Sequence, residues 1–125
     1  IRTLCLKCRK KVTPNEKIKS YIISILKTLP DFVKKDLRIS NPLQIFEAAG
    51  CDVCSFKGYK GRMGLYEVLS ITEELIEVIN KNPGESVILK AAQKQGMLTM
   101  VQEGVLKLLD GQTTIAEIIR VTQES

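Results

Sequence analysis

The chain has 125 residues, 44% of them hydrophobic and 26% charged, with a formal net charge of +5. That composition gives room for one core, or for two small subdomains sharing contacts, and is that of an ordinary globular chain, not a disordered one. His is absent, which removes imidazole as general base, as activator of a nucleophile and as metal ligand.

Trp is also absent and aromatics are 5% of the chain, so the core must come mainly from Leu, Ile and Val. A basic excess can favour nucleic acid or an anionic membrane surface. The lysines are dispersed along the chain, however, and the expectation is a solvated basic surface. The tightest cluster, Lys7, Arg9, Lys10 and Lys11, adjoins the first cysteine pair. Cations there would lower thiol pKa values and favour a thiolate-rich metal site. No apolar run approaches a membrane span: the longest, Tyr21 to Leu26, is interrupted by Ser24. No charged-then-apolar leader with a small-residue cleavage site is present, so nothing marks the chain for secretion.

In chain order, Ile1 to Leu4 are expected to be extended and lead straight into Cys5, as in a chain that begins in mid-domain. Thr13-Pro14-Asn15-Glu16 reads as a capping box with Pro at the first helical position. A helix is predicted from Pro14 to about Thr28, with Ile18, Tyr21, Ile22, Ile25, Leu26 and Leu29 as its apolar stripe. Pro30 stops it, and a short helical turn follows through Val33 and Leu37. Asn41-Pro42 is a break, and Leu43 to Glu47 read as a short strand delivering the chain to Cys51.

After Cys54, Ser55 to Lys60 form a glycine-containing loop, and Met63 to Leu69 are expected as a strand. Helical periodicity follows. Thr72 or Ser70 caps a helix through Asn80, and Asn82-Pro83-Gly84 is a turn. Glu85 to Gln95 form a helix with Gly96 as its C-terminal cap. Residues from about Met97 to Asp110 form another, ended by Gly111. Thr114-x-x-Glu117 is a capping box opening a last helix through Val121. Leu98, Val101, Val105, Leu108 and Leu109 are expected to share a core with Val87, Leu89 and Ala92, closed by Ile115, Ile118 and Ile119.

The only cysteines, Cys5, Cys8, Cys51 and Cys54, form two C-x-x-C pairs, separated by more than the usual zinc-ribbon spacing. Each pair can curl into a turn that aims both sulfurs at one ion, and two such turns complete a closed Cys₄ site. Gly50, Gly58 and Gly61 can supply the sharp turns. Structural Zn²⁺ is the favoured use. A redox C-x-x-C would sit at the start of a helix in a βαβ setting, which neither pair has. Two disulfides would need an oxidising compartment that nothing else signals. Catalytic zinc would need an open coordination position.

Leu4-Cys5-x-x-Cys8, then Gly50-Cys51-x-x-Cys54, then Gly58-Tyr59-Lys60-Gly61-Arg62-x-Gly64-Leu65-Tyr66-Glu67 resemble the tetracysteine segment of secretion ATPases. These are the motor ATPases of type II secretion and type IV pilus assembly. The tail is similar too, through Gly96-Met97-x-Thr99-Met100, Glu103-Gly104, Gly111-x-Thr113-Thr114 and Glu117-Ile118-Ile119-Arg120-Val121-Thr122.

The resemblance implies a fragment of a cytoplasmic homo-hexamer with a RecA-like α/β ATPase core. Such a motor uses ATP and Mg²⁺ to assemble fibres at the inner membrane, with membrane platform proteins as partners. The fold class expected here is α+β, mostly α: a tetracysteine zinc module over residues 1–60, then a core-return strand (Gly61–Leu69) and helical subdomain over 61–125. The chain lacks G-x-x-x-x-G-K-[ST], so the phosphate cradle is missing, and no ATPase activity is expected from it alone. Arg62, where the chain would re-enter the core, is the one candidate for nucleotide contact, against a solvated or glutamate-paired arginine. Tyr59 and Tyr66 are expected to pack. The alternative function is a stand-alone Cys₄ module binding nucleic acid. It would want a basic face with interleaved aromatics, whereas these helices mix Glu with Lys outward, so no nucleic acid is expected.

Overall fold

A computed structural model describes residues 1–123. It is a mixed fold of two small sheets and six α-helices among those residues. Strand β1 (Arg2–Leu4) precedes the first cysteine pair and β2 (Lys10–Val12) follows it. Strand β3 (Ile45–Glu47) precedes the second pair, which sits at a 3₁₀ turn over Asp52–Cys54, and β4 (Tyr59–Arg62) follows it. The pairing is crosswise. β1 runs antiparallel to β4, with Arg2 opposite Arg62, and β2 runs antiparallel to β3, with Lys11 opposite Phe46. Each cysteine loop is therefore anchored on both sides by a strand that pairs with a strand of the other loop. This arrangement brings together two loops that are more than forty residues apart in the sequence.

Helix α1 (Glu16–Lys27) begins two residues later than the sequence suggested. Its cap is Asn15, whose side chain accepts from the Ile18 amide at 2.9 Å. Thr13 lies too far upstream for that role once Pro14 stays outside the helix, and an asparagine already at the cap position satisfies the free amide directly. A short α2 (Asp31–Asp36) follows Pro30 as expected. The tail carries α3 (Glu73–Asn80), α4 (Glu85–Lys94), α5 (Met100–Leu109) and α6 (Ile115–Thr122). Thr72 caps α3, and Thr99 caps α5 in a reciprocal box with Gln102.

The main core joins both ends of the sequence. Ile22, Leu26 and Leu29 of α1 and its exit, Leu43 and Ile45 around β3, Val105 and Leu108 of α5, and Ile118 of α6 are all buried in one cluster. Burying side chains of this size stabilises by about 1.5–3 kcal/mol each. Gln102 joins α5 to α1 by donating to the Thr28 carbonyl at 3.1 Å and to its hydroxyl oxygen at 3.0 Å.

Two expectations are corrected. Helix α4 does not bring Val87 and Leu89 into this core: they remain 48% and 41% exposed, because α4 packs against α3, where Leu75 and Ala92 are the buried residues. The strand expected over Met63–Leu69, and the longer core-return strand over Gly61–Leu69, form only at Gly61–Arg62 as the end of β4. Ile1 and Met63 exchange two backbone bonds of 3.0 Å, and beyond that pair no strand lies beside Gly64–Leu69 among the described residues. In this stretch the Tyr66 amide donates to the Glu103 carboxylate in place of a strand partner, and Tyr66, Val68, Leu69 and Ile71 are exposed.

Candidate metal centre

The first cysteine loop is a tight turn in which the Cys8 and Arg9 amides donate to the Cys5 carbonyl at 3.2 and 2.9 Å. In the second, the Cys54 and Phe56 amides donate to the Cys51 carbonyl at 3.1 and 2.8 Å. Ser55 and Phe56 there adopt φ of 51° and 60°, a left-handed pair uncommon for residues with side chains. The loop then closes at Gly58, where φ is +76° and an added Cβ would come within 2.5 Å of the Ala48 Cβ. The Gly58 carbonyl accepts from the Cys5 amide at 3.0 Å, which ties one loop to the other.

The four sulfurs all lie within 4.8 Å of one another. Cys5 and Cys51 Sγ are 3.9 Å apart, Cys8 and Cys54 are 3.8 Å apart, and Cys51 and Cys54 are 3.8 Å apart. None of the four is in a disulfide. A tetrahedral ion with metal–sulfur bonds of about 2.3 Å requires sulfur–sulfur edges of about 3.8 Å, so these contacts fit a Zn²⁺-sized tetrahedral centre. Cys5 and Cys54 are buried and Cys8 and Cys51 half-buried, which is ordinary shielding for a soft thiolate site.

Local polarity divides the thiols. Burial is the largest influence on Cys8, and with the thiols around it pushes that group up to about 12. Burial also disfavours the Cys54 thiolate, but the Cys51 and Gly58 amides, donating to its sulfur at 3.2 Å each, bring it down to about 6. Backbone N–H groups aimed at a sulfur stabilise the anion.

The tail clamps the base of these loops. Leu4 N–H donates to the Gln112 carbonyl at 2.8 Å, and the buried Thr113 hydroxyl donates to the Arg2 carbonyl at 2.9 Å. Tyr59 and Thr114 hydroxyls share a 2.9 Å bond, and the Arg2 guanidinium lies 4.2 Å from the Tyr59 ring centre. Arg9 stacks on Phe46 at 4.5 Å and donates to the Gly111 carbonyl at 2.5 Å. Glu117, 1% exposed, accepts from the Arg2 amide at 2.8 Å, from Arg2 Nη2 at 2.6 Å and from Arg120 Nη2 at 3.0 Å. Burial works against its charge, but Arg120 and Arg2 hold the carboxyl down at about 2.

This clamp was missed in the sequence. Glu117 reads there as the reciprocal partner of a capping box, yet Thr114 caps α6 alone and the carboxylate reaches Arg2 instead. The signal was the position of an acid beside Ile118 on the apolar stripe of α6, where a carboxylate needs a cationic partner. Arg62 is exposed and lies opposite Arg2, and among the described residues its side chain has no glutamate partner. Tyr59 packs, whereas Tyr66 is exposed.

Residues 1–120 match the family model described as type II/IV secretion system protein. The chain is 35% identical over 98% of its length to the type IV pilus assembly ATPase PilB of Acinetobacter baylyi, covering 20% of that protein. It is 34% identical over its whole length to the type II secretion system ATPase E of Vibrio cholerae, covering 22% of it. A type II secretion system protein E of Pectobacterium carotovorum is 43% identical over 60% of the chain and 15% of that protein. The chain thus spans about a fifth of the length of such relatives.

Proposed function

The chain belongs to the type II/IV secretion system protein family, and on that premise we propose that it is the zinc-stabilised C-terminal portion of a hexameric motor ATPase of type II secretion or type IV pilus assembly. Its role is structure and interaction. Cys5, Cys8, Cys51 and Cys54 would hold one Zn²⁺, which supplies cross-linking of two loops and, with four thiolates, leaves no open position for chemistry. The observation that carries this reading is the set of sulfur contacts at 3.8–3.9 Å, on loops that the crosswise strand pairing brings together.

Residues 1–60 and 61–125 are proposed as the two parts of this portion, joined through a shared core. ATP and Mg²⁺ would act in the rest of the parent protein, on a RecA-like core that carries the phosphate loop absent from this sequence. The exposed apolar run Tyr66, Val68, Leu69 and Ile71 supports a return of the chain to that core, with Arg62 at the junction as the candidate nucleotide contact. Inner-membrane platform proteins are the proposed partners, which would place the parent on the cytoplasmic side as a peripheral protein. No helix of the described residues is long and apolar enough to cross a membrane. Metal analysis tests the centre: about one zinc per chain with four sulfur neighbours near 2.3 Å by X-ray absorption is the expected result. A folded, metal-free chain with four free thiols, or oxygen or nitrogen ligands, would refute it.

A further inference from the structure

Helix α1, helix α2 and the segment that follows them enclose an open groove of about 420 Å³, lined by Ile23, Leu26, Lys27, Lys34, Leu37 and Ile39. Four of the six are apolar, two are cationic and none is acidic. Ile23 and Ile39 are exposed. Lys27 forms no ion pair with a described residue, and Lys34 reaches only the exposed Asp31, at 3.7 Å, a pairing worth little in water. A smaller cavity of about 160 Å³ shares Ile39 with the groove and adds Lys11 and Arg38, again with no acid in its lining. The groove is thus an apolar floor with a basic rim.

Helix α3 has the opposite character. It carries Glu73, Glu74 and Glu77 and neither Lys nor Arg. Leu75 is buried and Val78 half-buried on the side that faces α4. At about 100° per residue, Glu73, Ile76, Glu77 and Asn80 fall on the other side, with Ile79 at its edge. Ile76 and Ile79 are exposed, and neither Glu73 nor Glu77 is in an ion pair with a described residue. The helix is therefore acidic and carries a second apolar stripe that α4 does not cover. Within one copy the isoleucines of the groove and those of α3 do not bury one another, since all four stay open.

We propose that the α1–α2 groove is the docking site for α3 of a second copy of this chain. Ile76 and Ile79 enter beside Ile23 and Ile39, while Glu73 and Glu77 face Lys27 and Lys34. An amphipathic helix laid into an apolar groove is a recurrent mode of recognition, and opposite charges at the rim fix its orientation. The groove and α3 are different surfaces, so the contact is head-to-tail. Each copy keeps one free groove or one free α3, and such contacts close into a ring or extend into a filament. This names a contact between copies for the motor reading, but it rests on these two surfaces and uses neither the sulfurs nor a nucleotide.

Sedimentation velocity of the full chain from the micromolar to the millimolar range tests this. Mean mass is expected to rise with concentration, and added salt to weaken the association without abolishing it, because part of the contact is apolar. Lys27→Glu with Lys34→Glu, and separately Glu73→Lys with Glu77→Lys, should each weaken self-association about tenfold or more. Mixed in equal amounts, these two double variants should associate again, because the intact groove of one meets the intact α3 of the other. Ile76→Ser with Ile79→Ser should weaken association about tenfold. Val68→Ser with Leu69→Ser, exposed apolar positions outside both surfaces, should associate as the parent does. All variants should keep helical circular dichroism, since every changed position is exposed. A chain that stays monomeric, association unmoved by either charge reversal, mixed variants that remain apart, or loss only on changing Val68 and Leu69 would overturn the proposal. A monomeric chain that takes up zinc defeats this contact and leaves the motor reading standing, because copies of the parent can meet through its other four-fifths.

Discussion

The tetracysteine end and the α1–α5–α6 core are held by different physics. At the cysteine end, Leu6, Val53 and Phe56 face outward, and the buried groups are sulfurs and the amides that serve them. At the core, Ile22, Leu26, Ile45, Val105, Leu108 and Ile118 close on one another without a polar partner. With zinc bound as proposed, the first end would be switched by one ligand, and the second only by many small losses. Between them lies the polar clamp of Arg2, Thr113, Thr114 and Glu117, which belongs to neither. How tightly that clamp couples the two ends decides whether the molecule opens in one step or two.

If the four cysteines hold zinc as proposed, the largest effect should come from removing it. Binding at a closed four-thiolate site is worth on the order of 10 kcal/mol, as much as the whole stability of a small domain. A strong chelator is expected to release backbone protection over residues 5–8 and 50–58 while α1, α5 and α6 stay protected, because their contacts do not pass through sulfur. Keeping α1 with the tail differs from a split of the chain at its middle, and follows from Ile22 and Leu26 lying against Val105 and Leu108. Hydrogen exchange read by mass spectrometry resolves these segments. Simultaneous loss of protection in α1, α5 and α6 would mean a single cooperative unit.

A smaller effect is expected at the clamp. Glu117→Gln keeps the shape but leaves Arg2 and Arg120 without their carboxylate. A buried pair broken on one side costs several kcal/mol. Both arginines here are about half exposed, so about 2 kcal/mol is expected by denaturant unfolding. The pH dependence carries a sign. The carboxyl is held at about 2, below its ordinary 4.5, so its contribution is present above pH 4.5 and is lost as pH falls towards 2. The wild-type chain should lose stability over that window and the Gln variant should lose less. Parallel pH profiles for the two would remove Glu117 from the coupling.

Most elements were legible before the fold was known, because the information was local. Cysteine spacing, the Pro30 stop, the Thr72 cap and the Gly96 and Gly111 helix ends each act within a few residues. What was not legible was pairing. Strand β4 lies at Tyr59–Arg62 and not at Met63–Leu69 because Arg2 and Leu4 stand opposite Arg62 and Tyr59, a fact about a segment almost sixty residues away. Val87 and Leu89 look like core residues by periodicity, yet α4 turns to α3. Glu117 fits a capping motif by its spacing, yet its buried carboxylate is taken by the half-exposed Arg2 and Arg120, and the Arg2 partner lies 115 residues away. In the site, the four ligand candidates could be read from spacing alone. The crosswise strand pairing that sets them face to face could not.

The smallest test concerns where the core begins. Asn15 caps α1 through the Ile18 amide, whereas Thr13 lies two residues outside the helix and accepts no bond from its first turn among the described contacts. Replacing an N-cap asparagine by alanine costs about 1 kcal/mol, and an exposed residue outside the helix should cost less than about 0.5 kcal/mol. Asn15→Ala is therefore expected to lower the melting midpoint by several degrees, and Thr13→Ala to leave it unchanged. Because α1 belongs to the apolar core and not to the cysteine loops, Asn15→Ala should leave zinc affinity in a competition titration where it was. A matched fall in melting midpoint and zinc affinity would show that α1 transmits strain to the sulfurs, and the two ends would then have to be treated as one.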